Sequence, residues 1–384
     1  MTESIPATSP KLRVLVAGGG VAALETVLAL RDLAGERVSV TVLAPNAELV
    51  YRPMTVREPF SFSSAAHYPL APMLAEAGAE LRTGELAWVD EEHQTVHTEA
   101  GEEIVYDALV LALGARPYAR YEHALTIDDR RMDETLHGLI QDVEGGYLDS
   151  LAFIAPPRMA WPLPLYELAL LTAGRAYDQG VELQITIVTS EDKPLAIFGD
   201  GVSEGVTGLL AAKKIRTIPS AYVEIPAAGE LVINPGDRRL RAKRVVALPE
   251  LYGPAVRGLP ASEHGFIRVD VFGRVPGTNG VYAAGDAVDF AVKQGGVSCQ
   301  QADVVAESIA ASAGAPVQPR PFAPTLHGIL LTDGAPRYLK ARITGGHGFV
   351  SEFSEHPIDG VTHKIDARYL APFLQNLDSR GVAV

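Results

Sequence analysis

The feature that most constrains this chain is a glycine-rich turn set between two apolar segments, Gly18-Gly19-Gly20-Val21-Ala22-Ala23. The run Leu12 to Ala17 before it reads as a buried strand, and Val21 to Leu33 carries helix-forming residues at the apolar spacing of a packed helix. In the resulting G-x-G-x-x-A pattern, Gly18 makes the tight turn and Gly20 lets the backbone approach a pyrophosphate. Ala23 is small enough for helix and strand to pack closely. The helix start at Val21, Ala22 and Ala23 then offers free N–H groups and the positive end of its dipole to phosphates. A glycine-rich turn between any strand and helix has the same appearance, so the ligand needs a second signal.

That signal lies far downstream, at Gly280-Val281-Tyr282-Ala283-Ala284-Gly285-Asp286. It resembles the apolar strand and Ala-x-Gly-Asp stretch with which flavoproteins of two dinucleotide folds bind the ribityl chain of FAD through the Asp. Between the two motifs, Tyr106 to Pro117 is similar to the strand and Ala-Thr-Gly turn that closes an FAD domain. Ala112 and Gly114 hold the matching places, and Leu113 replaces the usual Thr. Three motifs in this order predict an FAD site. The flavin is expected to be non-covalent, because no cysteine lies near the early loop.

The chain has 384 residues, 47% of them hydrophobic, and 36 glycines. It can bury a large core, and two or three domains are expected. A formal net charge of −14 argues against nucleic acid as a partner. No apolar stretch reaches the roughly 20 residues of a membrane span and no leader pattern opens the sequence, so a cytoplasmic enzyme is expected, with any membrane contact peripheral. Cys299 is the single cysteine, which leaves no partner for an internal disulfide or a redox dithiol. It reads either as a small apolar residue on the helix Val297 to Ala311 or as a nucleophile.

The predicted fold class is α/β: two Rossmann-like dinucleotide-binding folds, an FAD domain with an inserted NAD(P)-like domain, and a small C-terminal region. The division is 11–120 and 263–318 for the FAD domain, 121–262 for the insert and 319–384 for the tail. Met1 to Pro10 reads as a polar leader. A helix is expected near Pro69 to Ala77, with antiparallel meanders over Glu80 to Leu113 and over Ile215 to Leu248. The inserted unit offers strand Leu151 to Ala155, helix Leu165 to Tyr177 and strand Leu183 to Thr189. The tail offers strands Leu326 to Thr332 and Tyr338 to Thr344, then a loop rich in Gly and His. His347, His356 and His363 are too irregularly spaced for a metal site, and none is expected.

The insert departs from a nicotinamide-binding copy. Its turn, Ala155-Pro156-Pro157-Arg158-Met159-Ala160-Trp161-Pro162-Leu163-Pro164, contains no glycine. Prolines lack the N–H donors that hold a pyrophosphate, and Trp161 is bulky where backbone must approach. NAD(P)H in the usual pose is therefore doubtful.

The arrangement resembles the sulfide:quinone oxidoreductases, with flavocytochrome c sulfide dehydrogenases and type II NADH dehydrogenases as wider relatives. The likeness runs from Leu12 to about Ala311. It is carried further by Pro164-Leu165-Tyr166-Glu167, by Ile185 to Glu191, and by Lys293-Gln294-Gly295-Gly296. The resemblance implies the fold and the flavin site. It does not imply sulfide oxidation, whose persulfide relay needs two cysteines. Val42-Leu43-Ala44-Pro45-Asn46 lacks the usual ribose-binding carboxylate, as is familiar in this group, so Ala44 and Pro45 are placed at a loosely held adenosine. Arg52 and Pro53 lie where relatives bring a loop beside the isoalloxazine.

The helix beginning at Gly295-Gly296, with Gln294 before it, is expected to point its N-terminus at the flavin's pyrimidine edge and stabilise the negative charge of reduction. Lys293 either adds a positive charge there or is a solvated lysine at a turn. Glu167 occupies the place of a Glu near the flavin in relatives, and is either a proton relay or a helix-start carboxylate. The tail serves membrane docking or homodimer contacts in relatives, and both remain open. Three functions follow: a flavoenzyme without a dithiol taking electrons from an unidentified donor, with a quinone as acceptor; an NAD(P)H dehydrogenase with an unusual nicotinamide pose; or a non-catalytic flavin-binding redox protein.

Overall fold

The computed structural model describes residues 10–61, 64–344 and 348–382. The polar leader before Pro10 and His347 lie outside the described residues. Seven helices occur among them: α1 Val21–Leu33, α2 Leu70–Glu76, α3 Met132–Glu144, α4 Leu163–Asp178, α5 Asp200–Ala212, α6 Gly295–Ser312 and α7 Leu370–Ser379.

Two five-stranded sheets, parallel throughout, organise the chain. The first runs Val281–Ala283, Ala108–Leu111, Leu12–Ala17, Val38–Ala44, Glu80–Thr83. Its strands from Val281–Ala283 to Leu12–Ala17 are short, mostly apolar and mostly buried, as parallel strands require, while the edge strand Glu80–Thr83 is polar and partly exposed. Helices α1, α2, α6 and α7 cover one face, and the antiparallel meander Leu86–Asp90, Thr95–Thr98, Glu103–Val105 covers the other. The second sheet runs Leu125–Thr126, Arg244–Ala247, Ser150–Ile154, Gln184–Val188, Arg216–Ile218. Helices α3, α4 and α5 pack into one core with it. The antiparallel ribbon of Arg116–Tyr118 with Glu250–Tyr252 bridges the two units.

Several elements differ from expectation. Glu80–Thr83, read as the start of a meander, extends the first parallel sheet, and Arg216–Ile218 and Arg244–Ala247 likewise leave the second meander for the second sheet. Alternation alone does not reveal which neighbour a strand will pair with. The Gly- and His-rich tail loop contains a third strand, Gly348–Ser354, laddered on Arg337–Thr344. Tyr369 caps α7, whose apolar residues Leu370, Leu374 and Leu377 are buried. The start of α7 is held from within α1: Glu25, fully buried, accepts Tyr369 N–H at 2.9 Å and Leu370 N–H at 2.6 Å. Burial pushes the carboxyls of Glu25 and its neighbour Asp303 up, Asp303 to about 8.

Candidate functional site

The first turn is built for a close backbone approach. Gly18 sits at φ +128°, and a Cβ there would lie 2.1 Å from the Ala112 carbonyl oxygen, so no other residue fits. Gly20 caps α1 without a side-chain hydrogen bond. It is exposed, and a Cβ would meet nothing within 4 Å. The first-turn N–H groups of Val21, Ala22 and Ala23 have no intrahelical acceptor. Across the cleft, Gly285 stands at φ +80° with its Cβ position 3.0 Å from Ala22, which sets Asp286 beside the start of α1. Gly285 N–H donates to Gln301 Oε1 at 2.8 Å, and Asp286 accepts from Ser298 Oγ at 3.3 Å. Burial pushes the Asp286 carboxyl up while Lys293 opposes it. Gly114, at φ +71°, is half-buried at the end of the neighbouring strand.

This cradle fits FAD. Gly18 and Gly285 stand where a Cβ would press on backbone or on Ala22, Gly20 leaves the helix start open, and Asp286 brings a carboxylate to the same place, the set of groups that a dinucleotide with a polyol chain needs. At the adenosine end Ala44 is buried and Pro45 and Asn46 are exposed. Glu48, two residues on, pairs with His67 at 3.0 Å.

The 3-10 segment Arg52–Phe60 brings Arg52 within 3.9 Å of Asp129, and both groups act on Asp286. The carbonyl of Pro53 accepts Lys364 Nζ at 3.1 Å. Lys364 also reaches both oxygens of Glu167, at 2.6 and 2.8 Å, and Leu331 N–H adds a third donor at 2.8 Å. Glu167 is 1% exposed. Burial pushes its carboxyl up and Lys364 draws it back; burial pushes the Lys364 ammonium down and Glu167 opposes that. Sequence reasoning singled out Glu167 but missed Lys364, which carries no motif and lies 197 residues away.

Lys293 is not a solvated lysine. It is 6% exposed, donates to the Val288 carbonyl and sits 3.9 Å from the centre of the Phe266 ring. Burial lowers its pKa to about 8 against the pull of Asp286 and Asp289. Gln294 spends its side chain on structure: Oε1 accepts Val297 N–H at 2.9 Å and Nε2 donates to the His327 carbonyl at 3.2 Å. The Cβ positions of Gly295 and Gly296 are met by Ile365 at 2.9 Å and by the Asp366 carbonyl oxygen at 3.2 Å. The segment Lys364 to Asp366 therefore lies over the start of α6. No sequence signal pointed to it.

The turn of the second sheet has no such cradle. It is closed by Met159 N–H on the Pro156 carbonyl, and Ala160 O accepts Lys293 N–H at 3.4 Å. Trp161 packs on Phe198, ring centres 5.7 Å apart. Glu191, just past the strand Gln184–Val188, turns inward and accepts Tyr166 Oη at 2.6 Å, Thr189 Oγ1 at 3.1 Å and Ala196 N–H at 3.2 Å. Burial pushes it to about 7. Cys299 is fully buried in α6, and burial raises its thiol well above the usual range, the behaviour of a packed apolar residue. Among the described residues no cluster of three or more His, Cys, Asp or Glu could hold a metal, and no helix is long and apolar enough to cross a membrane.

Residues 8–135 match the model of the pyridine nucleotide-disulphide oxidoreductase family. A sulfide-quinone reductase of Aquifex aeolicus (strain VF5) is 24% identical over 266 residues, a match spanning 63% of this chain and 59% of that protein. Among solved structures, the sulfide:quinone oxidoreductase of the hyperthermophilic bacterium Aquifex aeolicus superposes with a TM-score of 0.79 at 20% identity, over 90% of this chain and 87% of that one. A ferredoxin reductase of the CYP199A2 system of Rhodopseudomonas palustris follows at 0.65 and 19%, over 86% and 82%. At these identities the structural likeness establishes the fold.

Proposed function

We propose that this chain, which belongs to the sulfide:quinone-oxidoreductase-like part of the pyridine nucleotide-disulphide oxidoreductase superfamily, is an FAD-dependent oxidoreductase passing electrons from a small-molecule donor to a quinone without a cysteine relay. Bound FAD supplies the electron transfer; the chain supplies placement and electrostatics. Gly18, Gly20 and the first-turn N–H groups of α1 hold the pyrophosphate, and Asp286 takes the ribityl chain.

The observation that carries the reading is the buried Glu167–Lys364 pair braced on the Pro53 carbonyl. A quinone takes up protons with its electrons. A carboxyl lifted by burial beside an ammonium lowered by burial can hold a proton at either Glu167 or Lys364. On the other side of the same tail segment lies a cavity of about 220 Å³ lined by Tyr51, Met54, Tyr68, Ile365, Leu370 and Leu374, among others, apolar enough to admit a quinone. A lipid-borne acceptor of this kind brings peripheral membrane contact with it.

Two observations support a donor other than sulfide or NAD(P)H. The lone thiol of Cys299 is buried, and the second turn combines prolines with an inward-facing Glu191. The test is anaerobic. Photoreduced flavin should reoxidise within a turnover on adding menadione, and NADH, NADPH or sulfide at submillimolar concentration should leave oxidised flavin unbleached. Reduction by either nucleotide on that timescale would make the chain an NAD(P)H dehydrogenase. Failure of every quinone to reoxidise it would leave a redox protein without quinone turnover.

A further inference from the structure

The segment that carries Lys364 to Glu167 is fastened at its other end by a histidine between two carboxylates. His327 lies on the strand Thr325–Leu330 with its side chain 10% exposed. Its Nδ1 is 2.7 Å from Asp366 Oδ2, and its Nε2 is 3.2 Å from Asp359 Oδ2. A neutral imidazole owns one N–H and can satisfy one of these acceptors; both contacts are hydrogen bonds only when the ring is charged.

The surroundings favour that charge. Lys340, opposite His327 in the ladder, binds Asp359 at 2.7 Å and lies 3.4 Å from Glu352 on the third strand. The groups facing the ring are thus Asp366 and Asp359 from the tail, with Lys340 and Glu352 behind Asp359. Burial alone would lower the imidazole's pKa, but Asp366 and then Asp359 outweigh it and the net direction is up. The backbone ties both ends to the site. His327 O accepts from Gln294, the cap of α6. The Asp366 carbonyl oxygen lies 3.2 Å from the Cβ position of Gly296, and Ile365 N–H donates to Tyr51 Oη at 3.1 Å.

We propose that His327 is a positioning residue: as an imidazolium bridging Asp366 and Asp359 it clamps the tail so that Lys364 stays on Glu167, and loss of its charge slows delivery of electrons to the acceptor. Only the last clause rests on the quinone reading. The sign follows from the upward shift. The clamp is complete below the ordinary imidazole value of 6.5 and is lost as pH rises through the higher value in the folded protein.

The test uses the FAD-loaded protein and three readouts. Imidazole nitrogen spectra should show His327 titrating with a midpoint above 6.5 that falls in Asp366→Asn, with both nitrogens protonated below it. Amide exchange at Ile365 should quicken about tenfold in His327→Gln. Menadione reoxidation of photoreduced flavin should lose rate in the wild type as pH passes the His327 midpoint, whereas His327→Gln should show the slow rate at every pH. Should His327→Gln not fold, Asp366→Asn carries the exchange and kinetic readouts. A His327 midpoint at or below 6.5, or unchanged protection at Ile365 in a folded variant, overturns the clamp. If menadione takes no electrons from the wild type, the quinone reading falls and the first two readouts still decide the clamp.

Discussion

The two parallel sheets present equivalent turns that have been put to opposite uses. After Leu12–Ala17 the chain spends glycines, leaving α1 uncapped and Gly20 open to solvent. After Ser150–Ile154 it spends prolines and a tryptophan, and the acid following the next strand, Glu191, is folded inward onto Tyr166. One turn keeps its backbone donors, while the other replaces several with prolines and closes on itself through Met159 N–H and the Pro156 carbonyl. Under the proposed function a nucleotide-type fold serves as a wall of the site, supplying Glu167 from α4.

The largest expected effect falls on the first turn. Gly18→Val should yield protein with under about a tenth of wild-type flavin, since a Cβ collides with Ala112 O at a φ costly for L-residues; Pro157→Ala in the second turn should leave occupancy unchanged. Flavin absorbance per protein after desalting decides, and equal losses would erase the contrast between the turns.

Lys364→Met tests what the second fold contributes as a wall. It strands a buried carboxylate at Glu167 and should cost about 3–5 kcal/mol by urea unfolding, most of it recovered when Glu167→Gln is added. A single-variant loss below about 1 kcal/mol would mean the pair is wet and weak.

Asp286→Ala should weaken FAD by about 1.5–3 kcal/mol, through a lost charge-assisted hydrogen bond. Flavin retention on serial dilution reads this out, and no change would remove Asp286 from the cradle.

The effect smallest at neutral pH sharpens the account of the second turn. Because burial raises Glu191 from 4.5 to about 7, folding favours its protonated form. Its contribution, on the order of 3 kcal/mol, is complete below about 4.5 and lost as pH rises through about 7. The carboxyl carbon resonance should titrate near 7; a midpoint under 5 would show that Glu191 is solvated and its inward placement wrong.

What could be read in advance was local. The strand Leu12–Ala17, the helix Val21–Leu33 and the strand Val281–Ala283 announce themselves through short-range pattern and glycine placement. What was hidden depends on pairing across the chain. Glu167 is visible beside its helix, but its partner Lys364 and the anchor His327 belong to a tail with no motif. The strand Gly348–Ser354 reads as a loop because its ladder comes from Arg337–Thr344 and not from its own propensity. Lys293 looked like turn punctuation until Phe266 and Val288, both outside its immediate turn, enclosed it.

The capping of α7 by Glu25 bears on how the molecule is made. Both oxygens of a carboxylate in α1 find backbone donors 344 and 345 residues later. Until that part of the tail emerges, α1 carries a carboxyl with no tail donors, on the face that α6 and α7 will cover. Closure of this core therefore waits on a segment made long after α1, and a chain truncated before Tyr369 leaves the Glu25 carboxyl without those two donors.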